Sequence, residues 1–388
     1  MLTRFRAHGF RNLGELDLEL GKLNVFIGPN NSGKSNLLDA LGALQGFLTG
    51  DATRGVDLGD ALAELGGEQL PAWGGDQRVA LGWDFEGLKY DLAFHVPGDG
   101  RRWQSDWRLE AERLEVGTLL ADGKPSTSRD VQLTRDGQDT TIASVVGPRY
   151  SLGSSTGWRG NEGMKRPELA GAFAVLWQES RLVLPVSCPR FPGARDQGAE
   201  ARVRGTDTLS PTGNNLANLL REYEARSPFL DPVLRRMEAL VKGLDRVSTE
   251  DAPNVVWVNL TVNGHLLPLT CVSDGTVQLL RLATLLFRDV HETICIDEPE
   301  TSLHPAWQHQ VARWFLESPK QAIICTHSPE LLDEWTAAFE SGEARLFTLT
   351  EGKAQRVDPS RFAAARADGW QAGDLYRAGD ALVGGWPW

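Results

Sequence analysis

The chain has little of what marks a secreted, disulfide-bonded or membrane-spanning protein. It contains 4 cysteines in 388 residues, and without a C-x-x-C pair neither a zinc site nor a disulfide framework is indicated. No apolar run approaches the roughly 20 residues that a membrane-spanning helix needs. The opening segment, Met1–Arg6, lacks the apolar core of a signal peptide. We therefore expect a cytoplasmic protein with no membrane partner.

Positive charge is also scarce. The formal net charge is −12, which argues against a protein that coats nucleic acid without sequence preference, because phosphate contacts need clustered lysine and arginine. The arginine-rich segment 181–204 departs from this composition. It is equally compatible with a solvated loop and with a surface for nucleic acid or a protein partner.

The most informative segment that is present is Gly28–Ser35, which fits the phosphate-loop pattern G-x-x-x-x-G-K-[ST]. A short apolar run, Leu23–Ile27, precedes it and predicts a buried strand. Apolar residues at helical spacing follow it from Asn36 to Leu48. Strand, glycine loop and helix are the context in which this pattern binds the phosphates of a nucleotide. Lys34 is expected to reach the outer phosphates, and the Ser35 hydroxyl to hold Mg²⁺.

A second apolar strand, Thr293–Ile296, ends in two acids. Asp297 at the strand end is suited to the Mg²⁺ shell, and Glu298 to activation of the attacking water as a general base. The following strand of the same type, Gln321–Thr326, ends at His327, where open α/β sheets place ligands. A histidine there is suited to sensing the γ-phosphate.

Upstream, Ser273, Asp274 and Gly275 precede an apolar helical run. Serine followed by an acid is a good helix start, and the start of a helix is a second place where an anion can bind. As a bare motif this is weak, because Ser-Asp-Gly occurs at many turns.

Together these motifs resemble the ATP-binding-cassette ATPase heads of the RecF, SMC and OLD group. In that pattern Gly28–Ser35 is the Walker A loop, and the stretch from Asp297 to Pro305 is similar to the D-E-P-E-x-x-L-H-P run of the group. Ser273–Thr276 is similar to the signature loop, although it departs from the L-S-G-G-Q of transporters. Gly213–Ala217 fits G-x-N-L-A, and Gly9–Leu13 resembles the first strand of these heads.

The resemblance implies a fold, a set of ligands and a set of site residues. The fold is α/β, a P-loop NTPase of ABC-ATPase head type, with a mixed sheet flanked by helices plus an antiparallel β-subdomain. The cofactors are ATP and Mg²⁺. Catalysis is expected from Glu298 and His327, and metal binding from Ser35 and Asp297. The expected nucleotide contacts are Arg11, Asn30, Asn31, Ser32, Gly33, Lys34, Ser35 and Asn36.

The resemblance also implies a head-to-head homodimer in which Ser273, Asp274 and Gly275 of one subunit act on the ATP of the other. Residues 1–50 and 205–388 would form one ATPase head. Residues 76–204 would form an inserted β-rich subdomain. Its hairpin between Arg78 and Val96 is predicted from alternation, and its tryptophans are expected to be exposed, where they could dock a partner. A structural subdomain that covers the sheet of the head is the favoured interpretation of the two.

The sequence does not determine which process such an ATP-dependent dimer controls. No long heptad run is present, and after His327 there is no G-x-D-x-D pattern, so no built-in nuclease is expected. The first hypothesis is a sensor or motor ATPase of a phage-defence system with a separately encoded effector protein. The alternatives are a RecF-like DNA-binding repair ATPase, with nucleic acid as a ligand, and a nucleotide-gated scaffold with little turnover.

Overall fold

We describe a computed structural model of the chain. The structure describes residues 1–48, 78–95, 108–116, 131–136, 139–142, 184–189, 200–202, 208–210, 212–226 and 230–380. Several sequence expectations lie outside these residues, namely those for most of the arginine-rich segment and for Trp103 and Trp107. The described helices include none that is long and apolar enough to cross a membrane.

The described elements alternate between strands and helices over most of the C-terminal half. The strands are β1 (Leu2–Phe10), β2 (Leu13–Glu19), β3 (Leu23–Ile27), β4 (Arg78–Phe85), β5 (Leu88–His95), β6 (Arg108–Val116), β7 (Val131–Asp136), β8 (Asp139–Ile142), β9 (Leu184–Ser187), β10 (Glu200–Arg202), β11 (Leu244–Ala252), β12 (Val255–Val262), β13 (His265–Pro268), β14 (His291–Asp297), β15 (Gln321–Cys325), β16 (Ala344–Thr350) and β17 (Lys353–Arg356). The helices are α1 (Lys34–Leu48), α2 (Leu216–Ala225), α3 (Asp231–Glu238), α4 (Asp274–Phe287), α5 (Pro305–Glu317), α6 (Pro329–Ser341), α7 (Pro359–Ala367) and α8 (Ala372–Ala378).

The chain divides into two compact units. The first unit comprises Met1–Leu20, Asn30–Pro185 and Thr350–Ala354, and the second comprises Gly21–Pro29, Val186–Leu349 and Gln355–Trp388. This division cuts the phosphate loop after Pro29. The expected grouping of 1–50 with 205–388 as one ATPase head stays a prediction.

The first unit is built on a seven-stranded sheet of order β2-β1-β4-β5-β6-β7-β8, in which neighbouring strands are antiparallel. The expected hairpin is present as β4 and β5. Trp83 on β4 is fully buried and its indole Nε1 donates to the carbonyl oxygen of Leu41 at 3.2 Å. The expectation that Trp83 is exposed is therefore wrong. The ring packs between Phe5 and Tyr90, because the face of β4 that carries it is the inner face of the sheet.

The second unit is built on a six-stranded sheet of order β17-β16-β3-β15-β14-β9. Its strands β16, β3, β15 and β14 run parallel. Helix α5 connects β14 to β15, and α6 connects β15 to β16. Strand β3 is buried at every position, as expected for a parallel strand covered on both faces. The predicted α/β class, a mixed sheet flanked by helices plus an antiparallel sheet, is confirmed.

A smaller antiparallel sheet in the second unit joins β10, β12 and β11, with β13 on the far side of β12. Asn263 and Gly264 form the turn between β12 and β13, and both residues have positive φ. Strand β11 has no counterpart among the sequence expectations. Its run L-D-R-V-S-T-E-D-A is mostly polar, because only one face of the strand packs on the core, through Leu244 and Val247.

Candidate functional site

The predicted catalytic strands end side by side at one edge of the six-stranded sheet. The N–H of Thr326 donates to the carbonyl oxygen of Phe26 at 3.1 Å, and the N–H of Glu298 donates to that of Cys325 at 2.8 Å. The ends of β3, β15 and β14 are therefore in register. Gly28, where the phosphate loop begins, follows β3 at this edge, where parallel sheets place their ligands.

The phosphate loop has the backbone of an anion-binding nest. Asn31 has φ 64° and Gly33 has φ 108°, on either side of Ser32. Helix α1 begins at Lys34, and the N–H of Leu37 donates to the carbonyl oxygen of Gly33 at 2.8 Å. Such alternation turns successive N–H groups toward one point. The start of α1 adds its positive end there.

One buried atom of the loop points to a ligand. The Ser32 hydroxyl is buried and has no hydrogen-bond partner among the described residues. Buried polar atoms are nearly always hydrogen-bonded, so such an atom needs an explanation. A phosphate oxygen in the nest supplies an acceptor. The donor set of this loop therefore fits a nucleotide, with Lys34 itself largely buried and Ser35 exposed at the helix start.

Arg11 supports the loop through α1. Its Nη1 donates to Asn36 Oδ1 at 2.8 Å and also bonds Asp39. Asn36 in turn donates to Asn12 Oδ1 at 2.6 Å, and Asn12 donates to the carbonyl oxygen of Asn31 at 3.0 Å. Burial lowers the pKa of Arg11. The expectation that Arg11 and Asn36 contact nucleotide stays a prediction, and in the first unit they hold the loop.

The turn between β16 and β17 also holds the loop. The N–H of Gly352 donates to the carbonyl oxygen of Ser32 at 2.9 Å, and the N–H of Gly14 donates to the carbonyl oxygen of Gly352 at 3.3 Å. Gly352 has φ 72°, and a Cβ there would overlap the carbonyl oxygen of Asn12. Only glycine therefore fits this position of the turn.

The acidic stretch after β14 forms a tight, hydrogen-bonded turn. Glu298 is exposed and has φ 46°, and its carbonyl oxygen accepts the N–H of Thr301 at 3.0 Å. A left-handed non-glycine residue is costly and persists where the surroundings fix it. Further along, His304 caps α5 by accepting the N–H of Ala306 at 3.1 Å, with Pro305 as the first helical residue. The L-H-P part of the motif is thus a helix start.

Glu300 links this turn to the end of β15. Its Oε1 accepts the Thr326 hydroxyl and the main-chain N–H of His327, each at 2.8 Å. Its Oε2 is buried and has no partner among the described residues. Burial raises the pKa of Glu300 to about 6, and the charge of Glu298 adds to the shift.

The predicted sensor, His327, is held by a residue from the C-terminal helix α8. Its Nδ1 lies 3.0 Å from the Tyr376 hydroxyl. Tyr376 is 5% exposed. Burial raises the pKa of Tyr376 to about 12, and the nearby charge of Glu300 contributes to the shift. Tyr376 therefore faces His327 as a neutral phenol.

The predicted signature loop is the start of α4. Ser273 is exposed and is the N-cap of this helix, with its Oγ accepting the N–H of Thr276 at 3.2 Å. Gly275 is buried, and a Cβ there would lie 2.6 Å from the carbonyl oxygen of Ser302. Gly275 thus has a packing role within its own subunit, whereas Ser273 is exposed at the surface of the helix start. The action of Ser273, Asp274 and Gly275 on the ATP of a second subunit stays a prediction.

Two residues important to the site were missed at the level of sequence. Glu300 lies inside the D-E-P-E motif, so the motif itself carried the signal. Tyr376 is 49 residues from His327 along the chain, and no sequence pattern connects the two. Among the described residues no group of three or more histidine, cysteine or acidic side chains could hold a metal ion. A Mg²⁺ shell of hydroxyl, one carboxylate, phosphate and water oxygens does not require such a group.

A buried parallel strand leads into a phosphate loop with the backbone of an anion-binding nest. Two neighbouring strands of the same sheet end in an acid and in a histidine. These features define an ATPase of the phosphate-loop class. The chain belongs to the family described as "AAA domain, putative AbiEii toxin, Type IV TA system", whose model matches residues 23–144 and 189–333. This family and a short match to RecF agree with the ABC-type ATPase that the motifs predict.

Shorter matches connect the chain to curated proteins. It is 54% identical over 41 residues to the DNA replication and repair protein RecF of Lactobacillus delbrueckii subsp. bulgaricus, which covers 10% of this chain and 11% of RecF. It is 32% identical over 82 residues to the lipoprotein-releasing system ATP-binding protein LolD of Novosphingobium aromaticivorans, covering 21% of this chain and 32% of LolD. The chain thus spans less than a third of either relative.

Among solved structures, the chain is similar to an SMC head bound to the C-terminal winged-helix domain of ScpA. The sequence identity is 15%, the TM-score is 0.47, and the match covers 92% of this chain and 97% of the SMC head.

Proposed function

We propose that the protein binds and hydrolyses ATP with Mg²⁺, and that ATP closes two copies into a head-to-head dimer. One observation carries the nucleotide site: the buried Ser32 hydroxyl, without a partner among the described residues, in a nest that begins where β3 ends. The family match supports hydrolysis as the general reaction.

Each residue has a distinct role in this proposal. The N–H groups from Asn30 to Ser35 surround the phosphates, and Lys34 neutralises their charge. Ser35 and Asp297 would hold Mg²⁺, which supplies charge neutralisation at the transferring phosphoryl group. Glu298 is exposed at a fixed turn, where its carboxylate can orient and deprotonate a water. His327 would donate a hydrogen bond to the γ-phosphate.

The exposure of the signature loop supports the proposed dimer. Ser273 is exposed at the start of α4, and each chain has one phosphate loop and one such helix start. A symmetric dimer in which each Ser273 faces the nucleotide of the other copy gives two composite sites. ATP would then act as a switch, because its γ-phosphate favours the closed state.

The output of the switch is proposed from the family. The family description names a putative AbiEii toxin of a type IV toxin–antitoxin system, and we read this name as support for a defence role with a second component. We therefore favour a cytoplasmic sensor or motor subunit in phage defence that acts on a separate effector protein. No built-in nuclease is part of this proposal.

Two measurements test the ATPase and the dimer. Turnover of ATP should fall at least about 100-fold in Lys34→Ala, since a transition-state charge contact is lost, and should be unchanged in Lys242→Ala, an exposed lysine in a turn between α3 and β11. Glu298→Gln should remain ATP-bound and run as a dimer in analytical ultracentrifugation with ATP and Mg²⁺. A Glu298→Gln protein that stays monomeric at saturating ATP would contradict the dimer.

A RecF-like role in DNA repair is the second candidate, favoured by the match to RecF. It predicts DNA-stimulated ATP turnover that weakens steeply with salt, because phosphate contacts release counterions. A separate effector that co-purifies with Glu298→Gln and ATP, without any effect of DNA on turnover, supports the first candidate. ATP binding without turnover in the unchanged protein would identify a nucleotide-gated scaffold.

A further inference from the structure

We infer that Tyr376 is a positioning residue for His327: its hydroxyl donates to Nδ1 and thereby fixes the imidazole as the tautomer that carries its proton on Nε2. This inference rests on the proposed role of His327 at the γ-phosphate. It adds to that role the group that determines whether the imidazole ring can donate a hydrogen bond to the γ-phosphate.

The geometry leaves His327 little freedom. Its main-chain N–H is held by Glu300 Oε1 at 2.8 Å, and its Nδ1 is held by the Tyr376 hydroxyl at 3.0 Å. Both partners come from the second unit, one from the turn after β14 and one from α8. The backbone and one ring nitrogen are thus held from two sides, and the proposed function places Nε2 toward the γ-phosphate.

The direction of the hydrogen bond follows from the chemistry of the two groups. A neutral imidazole has one donor nitrogen and one acceptor nitrogen, and the bond made by one nitrogen determines the other. A phenol is a stronger donor than acceptor, because its oxygen lone pair is delocalised into the ring. Tyr376 remains a phenol across the working pH range, since burial raises its pKa to about 12. Donation to Nδ1 therefore leaves the proton on Nε2.

That tautomer is the one that a phosphate requires. A γ-phosphate presents only acceptor oxygens, so an Nε2 without a proton would repel it. The proton on Nε2 also remains in place without a positive charge on the ring, so that the contact does not depend on protonation of the histidine. Helix α8 thus supplies the Tyr376 hydroxyl, and this hydroxyl determines the tautomer of His327.

The main test compares two tyrosine-to-phenylalanine variants. Tyr376→Phe should lower kcat about fivefold to tenfold, the typical effect of one lost hydrogen bond, with little change in KM. Tyr223→Phe is the matched control, since Tyr223 is also 5% exposed and its hydroxyl donates to the carbonyl oxygen of Arg288 at 3.1 Å, within the core. The control should lose similar stability and keep its kcat. Equal kcat values in both variants would overturn the inference.

A double-mutant cycle separates positioning from a general structural effect. In a His327→Ala background, Tyr376→Phe should have no further effect on kcat, because the residue through which it acts is gone. Additive effects of the two changes would show that Tyr376 acts elsewhere. A His327→Ala protein with unchanged kcat would overturn the inference and leave the ATPase assignment intact.

A readout independent of turnover keeps the inference testable if ATP is not hydrolysed. In protein with ¹⁵N-labelled histidine, the His327 resonances are assigned by their loss in His327→Ala. The expected spectrum shows a protonated Nε2 and an unprotonated Nδ1, and a mixture of tautomers in Tyr376→Phe. A proton on Nδ1 in the unchanged protein would overturn the inference. Absence of Lys34-dependent turnover would instead overturn the proposed ATPase alone.

Discussion

Glu300 and His327 are joined by a hydrogen bond of 2.8 Å between the Oε1 of the acid and the main-chain N–H of the histidine. The bond connects the turn that carries Glu298 to the end of the next strand. The two segments are therefore held together at this edge of the sheet. This pairing also has a consequence for stability, because the carboxyl group of Glu300 is largely buried.

The free energy of unfolding should depend on pH through the titration of Glu300. Burial raises the pKa of Glu300 from its ordinary value of 4.5 to about 6. Ionisation is thus disfavoured in the folded state, and the penalty is absent below the unfolded pKa and complete once the pH exceeds the folded pKa. It amounts to about 2 kcal/mol at neutral pH. In Glu300→Gln this pH-dependent penalty disappears.

Urea unfolding at a series of pH values measures this effect. The stability of Glu300→Gln relative to the unchanged protein should rise by about 2 kcal/mol between pH 4.5 and 7. The exposed Glu343→Gln variant is the control and should show no such slope. A constant difference between Glu300→Gln and the unchanged protein across this range would contradict the burial argument.

The Gly352 turn should be essential for nucleotide binding although it lies far along the chain from the phosphate loop. Gly352→Ala would place a Cβ against the carbonyl oxygen of Asn12 and displace the N–H that binds Ser32. Gly264→Ala is the matched control. Gly264 also has a positive φ, +77°, but no atom lies within 4 Å of the position that its Cβ would take. The control should lose about 1 kcal/mol from left-handed strain alone.

Isothermal titration with ATP and thermal unfolding distinguish the two glycine variants. Gly352→Ala should lose more stability than the control and bind ATP at least about tenfold more weakly, since a 1.4 kcal/mol loss is tenfold in affinity. Gly264→Ala should bind ATP normally. Equal ATP affinity in both variants would show that the turn does not hold the loop.

Arg11 should matter chiefly through the buried Asp39. The guanidinium bonds Asp39, which is 4% exposed, and Asn36. Arg11→Ala removes the cation that compensates a buried carboxylate, which typically costs about 3 kcal/mol or more. The double variant Arg11→Ala/Asp39→Asn should recover part of that loss in chemical unfolding. A double variant that is less stable than Arg11→Ala would show that Arg11 does not compensate this charge.

The composite dimer should be detectable by mixing two inactive variants. Ser273→Asp keeps an N-cap residue at the start of α4, so its fold should be preserved, but its carboxylate would repel the phosphates of the other copy. Lys34→Ala inactivates its own phosphate loop. In mixed dimers one site combines the intact loop of one variant with the intact Ser273 of the other.

Random assembly of an equal mixture should restore about a quarter of the ATP turnover, since half of the dimers carry one intact site out of two. Each variant alone should be inactive, and circular dichroism should show that Ser273→Asp is folded. Absence of recovery in the mixture would show that Ser273 acts on the nucleotide of its own subunit.

Local patterns explain why much of the fold was predictable. Strands β1 and β3 are short runs whose burial follows their sequence pattern, and helix α1 begins within two residues of its expected position. Cys295 and Cys325 are buried thiols within β14 and β15, as their apolar surroundings indicate. These features depend on neighbours in the chain and can be read from the sequence.

The remaining features depend on contacts between distant segments. Trp83 is predicted from the sequence to be exposed, but it is buried because its ring packs against Phe5 and its indole N–H bonds helix α1. Tyr376 meets His327 only because α8 folds back on α6, where the N–H of Gly373 donates to Asp333 Oδ1 at 2.8 Å. The seven-stranded sheet likewise pairs β4 with β1 rather than with a local neighbour alone. Sequence periodicity carries no information on such pairs.

The pairing of β3 with two strands from much later in the chain determines when the nucleotide site can form during synthesis. This strand, Leu23–Ile27, lies between β15 and β16, whose partners for Val25 are Ile324 and Leu346. A ribosome therefore produces the phosphate loop long before either neighbour of its supporting strand exists. Contacts of such long sequence separation form late and slowly. Nascent chains that end before Gln321 should consequently be unable to retain ATP, so that nucleotide capture reports that β15 has been synthesised.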